Sequence, residues 1–395
     1  MVNLFFQFSN IPKIMFGFGM LQNIVDIDLL KKSSNILLIS GESIKKTKPF
    51  LKCIYKIKSM NLSIVEKIVF GEPSPGIIDN IVSSVISRDI DLVIAIGGGS
   101  VLDAGKAVSA MLPLKESVLN YLEGVGNKDH SGVKIPFIAV PTTSGTGSET
   151  TKNAVLSNIG SDGFKKSLRH ENFIPNIAII DPELMISCPR NVTVYSGLDA
   201  LSQLIEGYLS PKNSPLTDCM ALDGIRFFSE SFIYVCTNKS KNLEFRSKMA
   251  YAAFLSGVVL ANAGLGVIHG FASPIGGFFP INHGIVCGRL LPEVIKMNVD
   301  TLKSNGSKES LFYLKKYAKV ANILTNKDGR NEIESCNNLV NTLYRWIKLF
   351  EVPDFKDFGV KNSDFERIIN NTSMKNNPVK LSEDQLITIL RNSMG

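Results

Sequence analysis

The chain has 395 residues, 44% of them hydrophobic and 20% charged, which is enough apolar material for more than one core and excludes disorder and a disulfide-stapled miniature. A formal net charge of +7 over that length suits anionic small molecules and does not indicate nucleic acid. Only four histidines occur, His130, His170, His269 and His283, which argues against a metal site built from histidine alone.

The first residues, MVNLFFQFSNIPKIMF, read as a strand entering a domain and carry neither the basic stretch nor the cleavage site of a signal peptide. Leu4-Phe5-Phe6-Gln7-Phe8 is aromatic for a sheet edge, so pairing with a second subunit in a homodimer is expected. Apolar runs follow at Asn35 to Ile39, Leu62 to Phe70, Asp91 to Ile96, Phe137 to Val140 and Ile177 to Ile180. They do not alternate with polar residues, as strands buried on both faces require. Ile77, Ile78, Ile81, Val82, Val85 and Ile86 recur at helical spacing and predict a covering helix. Strand and helix in alternation imply a parallel, Rossmann-like sheet that binds ligands at the carboxyl ends of its strands.

Beyond Asp181-Pro182 the pattern changes to long amphipathic helices, as at Ser307 to Leu324 and Asn331 to Phe350, with no further clear strand. The expected organisation is an α/β dinucleotide-binding domain over residues 1–183 and an all-helical domain over 184–395, with the active site in the cleft between them. The uncharged stretch from Ala250 to Ile268 holds Asn262 and three glycines, and reads as a buried helix ending near Gly264 and not as a membrane span. A capping box from Ser382 to Gln385 opens the last helix. The six cysteines are scattered without a CxxC pair, which predicts buried thiols in a reducing, cytoplasmic setting.

Several segments carry chemistry. After the strand ending at Ile96 comes Gly97-Gly98-Gly99-Ser100-Val101-Leu102-Asp103, helical from Leu102 onward, where close backbone approach and free N–H groups at a helix start suit a pyrophosphate. The spacing is not GxGxxG, because Leu102 stands where the third glycine would be. A second strand ends in Pro141-Thr142-Thr143-Ser144-Gly145-Thr146-Gly147-Ser148-Glu149, rich in short hydroxyl donors. At the end of the first strand Gly41 offers no side chain to the adenosine ribose, while Glu42, Lys45 and Lys46 stand nearby, leaving both NAD and NADP open. In the helical half, Asp199 and Gln203 lie four apart on one helical face, and His269 and His283 share one glycine-rich apolar region. Together they would make a divalent cation site of nitrogen and oxygen ligands with a position free for substrate.

These segments, GGGSVLDAGKA, PTTSGTGSETT, DPEL, GLDALSQLIE and VIHGFASPIGGFFPINHG, occur in the order found in the iron-containing, group III alcohol dehydrogenases, a family the chain resembles over nearly its whole length. The resemblance implies a dehydroquinate-synthase-like fold. It implies that Gly97, Gly98, Gly99 and Ser100 hold the cofactor pyrophosphate with Asp103 close by, that Thr142 and Thr143 line the path to the nicotinamide, and that Lys165 stands beside the cofactor. It implies Asp199, His269 and His283 as ligands of iron or zinc.

Two departures follow. Gln203 occupies a ligand position that relatives usually give to histidine, and a neutral amide is the weaker ligand. Ser273 stands where many relatives have a histidine near the substrate, so proton release is expected to use the cofactor ribose, water or Ser273 itself. The reading is metal-dependent hydride transfer between NAD(P) and a small alcohol or aldehyde. A metal-independent reductase of the maleylacetate type, a lyase like dehydroquinate synthase and a non-catalytic nucleotide-binding scaffold are the competing readings.

Overall fold

The computed structural model describes residues 5–395. Its first half is a parallel sheet of β1 (Lys13–Phe16), β2 (Asn35–Ser40), β3 (Ser63–Ile68), β4 (Leu92–Gly97), β5 (Phe137–Pro141) and, after a hairpin of β6 (Asn153–Asn158) and β7 (Phe164–Arg169), β8 (Ile177–Ile180). The strand order is β1-β8-β5-β4-β2-β3 and every pair within this sheet is parallel. Leu37, Ile39, Val93 and Ala95 point into one core, while Ile36, Leu38, Leu92, Ile94 and Ile96 point into another on the opposite face. Burial on both faces is why these runs show no alternation.

Helices α1 (Asp28–Lys31), α2 (Lys48–Lys58), α3 (Pro75–Val85) and α4 (Gly99–Met111) belong to this half. The chain runs from β2 outward to β3, then crosses back to place β4 on the other side of β2. Ligands gather at such a reversal, because the loops beyond the two neighbouring strands diverge and leave a crevice. The turns after β2 and β4, which hold Gly41 and Gly97 to Gly99, are therefore neighbours at the sheet's switch point.

The second half comprises α5 (Arg190–Leu209), α6 (Pro215–Cys236), α7 (Leu243–Ala263), α8 (Val267–Phe278), α9 (His283–Asn305), α10 (Lys308–Thr325), α11 (Glu332–Leu349), α12 (Phe365–Asn370) and α13 (Glu383–Asn392), with no strand among them. Their apolar faces share one core. Helix α5 lies in the middle of it and is buried nearly all round, Asp199, Ser202, Gln203 and Glu206 included. Polar groups in such a place need partners, so a polar stripe on a central helix marks a site.

Most predicted elements occur, including the capping box of Ser382 and Gln385. Three details differ, and a fourth is sharpened, since the buried helix expected to end near Gly264 does end there and a second helix follows. Phe5 to Phe8 form no strand, Leu4 lies outside the described residues, and the sheet edge is Lys13–Phe16 instead. The antiparallel β6–β7 hairpin was not anticipated, since its short polar strands lie apart from the main sheet. Helix α4 begins at Gly99 and not at Leu102, with Gly98 as its N-cap. The stretch from Ala250 to Ile268 is two helices: α7 stops at Gly264, whose φ of 70° suits glycine, and α8 leaves at a bend of 98°. No single helix among the described residues is long and apolar enough to cross a membrane.

Candidate active site in the interdomain cleft

The glycine turn is held by contact from both sides. A Cβ at Gly97 would stand 2.5 Å from the Cβ of Val101, and one at Gly99 would stand 2.6 Å from the Thr146 hydroxyl oxygen. Only glycine lets the backbone turn from β4 into α4 while the hydroxyl loop packs over it. Lys106 on α4 fixes that loop from beneath. Its buried ammonium donates to the Ser148 and Asn153 carbonyls at 2.8 and 2.7 Å and to the Thr151 hydroxyl at 2.9 Å. Burial lowers the Lys106 pKa to about 8. Asp103 accepts from the Ser148 hydroxyl at 2.6 Å, and burial raises its carboxyl above the usual range.

The same loop meets the helical half backbone to backbone. A Cβ at Gly147 would lie 2.4 Å from the Cα of Gly257 on α7, and the Ser256 hydroxyl reaches the Gly145 carbonyl at 3.2 Å. Two facing glycines bring the sheet's ligand loop directly onto the helices that carry the polar stripe. Between them opens a cavity of about 430 Å³ lined by Gly99, Ser100, Asp103, Lys165, Gln203, His269, Ser273 and His283, among others. Gly41, Gly97, Gly98, Thr142 and Thr143 lie outside its lining. Gly97 and Thr142 are joined by a backbone hydrogen bond of 2.9 Å, and Thr143 packs against Gly98.

Strand alternation on β7 decides between the adjacent lysines: Lys166 is exposed, and Lys165 turns into the cavity. Its ammonium is paired at 2.7 Å with Glu72, whose carboxyl it holds below the usual range against the effect of burial. Ser273 also lines the cavity, but its hydroxyl donates to the Lys165 carbonyl at 2.9 Å. His130 and His170 lie elsewhere. The His130 ring packs on Phe173 with centroids 4.6 Å apart, in the core beside the sheet.

At the helical end of the cavity α5, α8 and α9 converge. The His269 Nε2 lies 3.3 Å from the Asp199 carboxylate, and the His283 Nε2 lies 3.6 Å from the same oxygen. Cys287, one turn after His283 on α9, completes the group, with its sulfur 3.6 Å from each imidazole. One donor atom from each of these four residues falls within 4.8 Å of the others. Glu206, two turns after Asp199, accepts from His269 Nδ1 at 2.7 Å and from the Ile268 backbone N–H at 2.6 Å. One carboxylate therefore caps α8 and aims the His269 Nε2 at Asp199, the orientation a metal-binding imidazole needs. Gln203 is turned differently. Its carbonyl oxygen accepts from the Ser256 hydroxyl at 2.9 Å, and its amide nitrogen faces Asp199 at 3.4 Å.

Burial opposes the charge on Asp199, yet the two imidazoles hold its carboxyl below the usual range. Burial also opposes the charge on His269, but Cys287 and Asp199 outweigh it and raise the imidazole well above its ordinary value. Burial dominates at His283, which falls below its ordinary value, and it pushes the Cys287 thiol up to about 11. A carboxylate, two imidazoles and a thiol packed this closely are donors that fit a divalent cation.

Sequence reasoning missed Cys287, Glu206 and Glu72. The first two carried a signal: His283 and Cys287 are four apart, and Asp199, Gln203 and Glu206 share one helical face. Glu72 lies in a loop far from Lys165 in the chain, and nothing local points to it.

The family model for iron-containing alcohol dehydrogenase matches residues 12–182, and that for the C-terminal part of the Fe-containing alcohol dehydrogenase family matches residues 193–394. The chain is 30% identical over 385 residues to an NADPH-dependent butanol dehydrogenase of Clostridium saccharobutylicum, covering 94% of each chain. It is 30% identical over 313 residues to an NAD-dependent methanol dehydrogenase of Bacillus methanolicus, covering 78% of each. Among solved structures, an alcohol dehydrogenase from Oenococcus oeni superposes with a TM-score of 0.86 at 25% identity, over 98% of this chain and all of the other. These relatives do not favour the maleylacetate-type or lyase readings. The chain belongs to the iron-containing alcohol dehydrogenase family, and it is a metal-dependent oxidoreductase that transfers hydride between NAD(P) and an alcohol or aldehyde.

Proposed function

We propose that the cleft cavity is the active site, with Asp199, His269 and His283 holding the divalent cation. Gly97, Gly98, Gly99 and Ser100 are assigned to the cofactor pyrophosphate, with Asp103, Thr142, Thr143 and Lys165 around the rest of the dinucleotide. The observation that carries this reading is the convergence of one carboxylate and two imidazoles at one end of a cavity whose other end is a glycine-built helix start. The cofactor supplies the hydride acceptor, and the cation supplies a Lewis acid for the substrate oxygen. The protein's own residues position these groups and exclude water. Lys165, held by Glu72, presents positive charge to the cavity. The Ser273 hydroxyl is engaged by the Lys165 carbonyl, so proton release is assigned to water or the cofactor ribose, with Ser273 as a relay only after that bond breaks.

Residues 1–183 are proposed as the cofactor domain and 184–395 as the metal domain. Gly41 places no carboxylate at the end of β2, and Glu42 is exposed, so a 2′-phosphate is tolerated and both NAD and NADP are accepted. All six cysteines are free, which suits a reducing compartment such as the cytoplasm. A homodimer remains the expected assembly, and light scattering that gives a monomer mass would reject it. The decisive experiment is metal analysis of purified protein alongside alcohol oxidation with each cofactor. Replacing His283 by Ala should remove metal and turnover while preserving the fold, and a variant active without metal would overturn the assignment.

A further inference from the structure

We propose that Cys287, and not Gln203, is the fourth ligand of the cation, completing a carboxylate, imidazole, imidazole, thiolate set that selects zinc over iron. This rests on the metal reading above and deepens it. The distances carry the argument. Tetrahedral zinc, with bonds of about 2.0–2.2 Å to nitrogen or oxygen and about 2.3 Å to sulfur, places neighbouring ligand atoms roughly 3.3–3.6 Å apart. The Asp199 carboxylate stands 3.3 and 3.6 Å from the two imidazole nitrogens, and the Cys287 sulfur stands 3.6 Å from both. An octahedral cation with bonds of about 2.1 Å would need adjacent ligands roughly 3 Å apart, closer than any of these.

Gln203 presents its amide nitrogen, which has no lone pair for a metal, toward Asp199, and its oxygen accepts from the Ser256 hydroxyl at 2.9 Å, so coordination by that oxygen would first require the amide to turn over. The residue acts through Asp199, holding that carboxylate in place. The cavity adds the direction: Gln203, His269 and His283 line it, whereas Asp199 and Cys287 do not. Sulfur and carboxylate therefore back the cation from the protein side, and the cavity side stays open for a fifth ligand, which zinc accepts. A thiolate is the soft donor that shifts preference from iron toward zinc. Binding breaks the S–H bond of Cys287, forms a metal–sulfur bond and releases the proton to solvent. No electron moves, so no oxidant is required.

The test uses the full chain stripped with a chelator under reducing conditions and titrated with Co(II), whose thiolate complexes absorb in the near ultraviolet. One Co(II) per chain is expected, with a sulfur charge-transfer band that persists in Gln203→Ala and vanishes in Cys287→Ser. The Cys287→Ser change should weaken zinc binding more than about 100-fold, beyond the loss caused by removing an orienting group alone, and should weaken Fe(II) binding less. If Cys287→Ser does not fold, zinc X-ray absorption on the wild type must show one sulfur neighbour. Stoichiometric Co(II) without the band, or a band that survives Cys287→Ser, overturns the thiolate and leaves the Asp199, His269, His283 site standing. A wild type that binds no Co(II) overturns both.

Discussion

At the carboxyl end of β4 the cleft is walled by glycine backbone, whereas at the junction of α5, α8 and α9 it is walled by buried side chains. On the sheet side the chain makes room: a Cβ at Gly97, Gly99 or Gly147 would stand only 2.4 to 2.6 Å from a neighbouring atom, so the close backbone packing there needs glycine. On the helical side the chain fills space with charge, and buried groups hold one another, as Glu206 holds His269 and Ser256 holds Gln203, while the His283 Nδ1 is left without a partner among the described residues. The difference matches what the proposed assignment asks of each side. A pyrophosphate is large and would be met by N–H groups at a helix start, whereas a cation is small and would need converging lone pairs.

That comparison can be broken most severely at the helical end. Replacing His269 by Ala should cost more than about 100-fold in zinc or iron affinity, measured by competition with a chelating dye, because a ligand is worth more than the group that orients one. Dinucleotide binding, followed by NAD(P)H fluorescence, should hardly change if the two walls are independent. Glu206→Gln should cost about 10- to 100-fold in metal affinity at unchanged stoichiometry, since the amide keeps an acceptor but loses its charge beside His269. Retention of full affinity would show that α8 alone orients the imidazole.

At the glycine wall, Gly97→Ala should weaken NAD(P)H binding by about 5- to 150-fold, the equivalent of roughly 1–3 kcal/mol of overpacking against Val101. Metal content should stay at one per chain. The smallest effect is expected beneath the hydroxyl loop, where burial raises the Glu149 carboxyl to about 7, partly opposed by Lys106. Its folded value lies above its unfolded value, so its stabilising contribution is complete below about pH 4.5 and is lost as pH rises through about 7. Glu149→Gln should therefore flatten the decline of the melting temperature between about pH 5 and 8 without altering metal or cofactor binding. An unchanged slope would reject the carboxylate as its source.

The two walls were also unequally legible in the sequence. Glycine spacing after β4 is local, so the turn could be read directly, with only the helix start misplaced from Gly99 to Leu102. Asp199, His269 and His283 are far apart in the chain: spacing and composition offer them as a candidate cation set, and the resemblance to a family implies their role as ligands. Cys287 was read as one more buried thiol, because its relation to His269 exists only where α8 and α9 cross. The β6–β7 hairpin escaped because its polar, short strands lack the continuous apolar runs that marked the main sheet.

By itself the sequence determined the two-part architecture, the parallel sheet and the glycine turn, since each is written in contiguous residues whose periodicity and turn chemistry act locally, and the order of its motifs carried the resemblance to the family. The tertiary structure alone decided which donors meet. It turned Lys165 and not Lys166 into the cavity, bound Glu206 to His269, faced Gln203 toward Ser256 and brought the Cys287 sulfur to the two imidazoles. Helix packing fixes those relations through contacts between residues distant in the chain, and spacing along the sequence carries no information about where two packed helices cross.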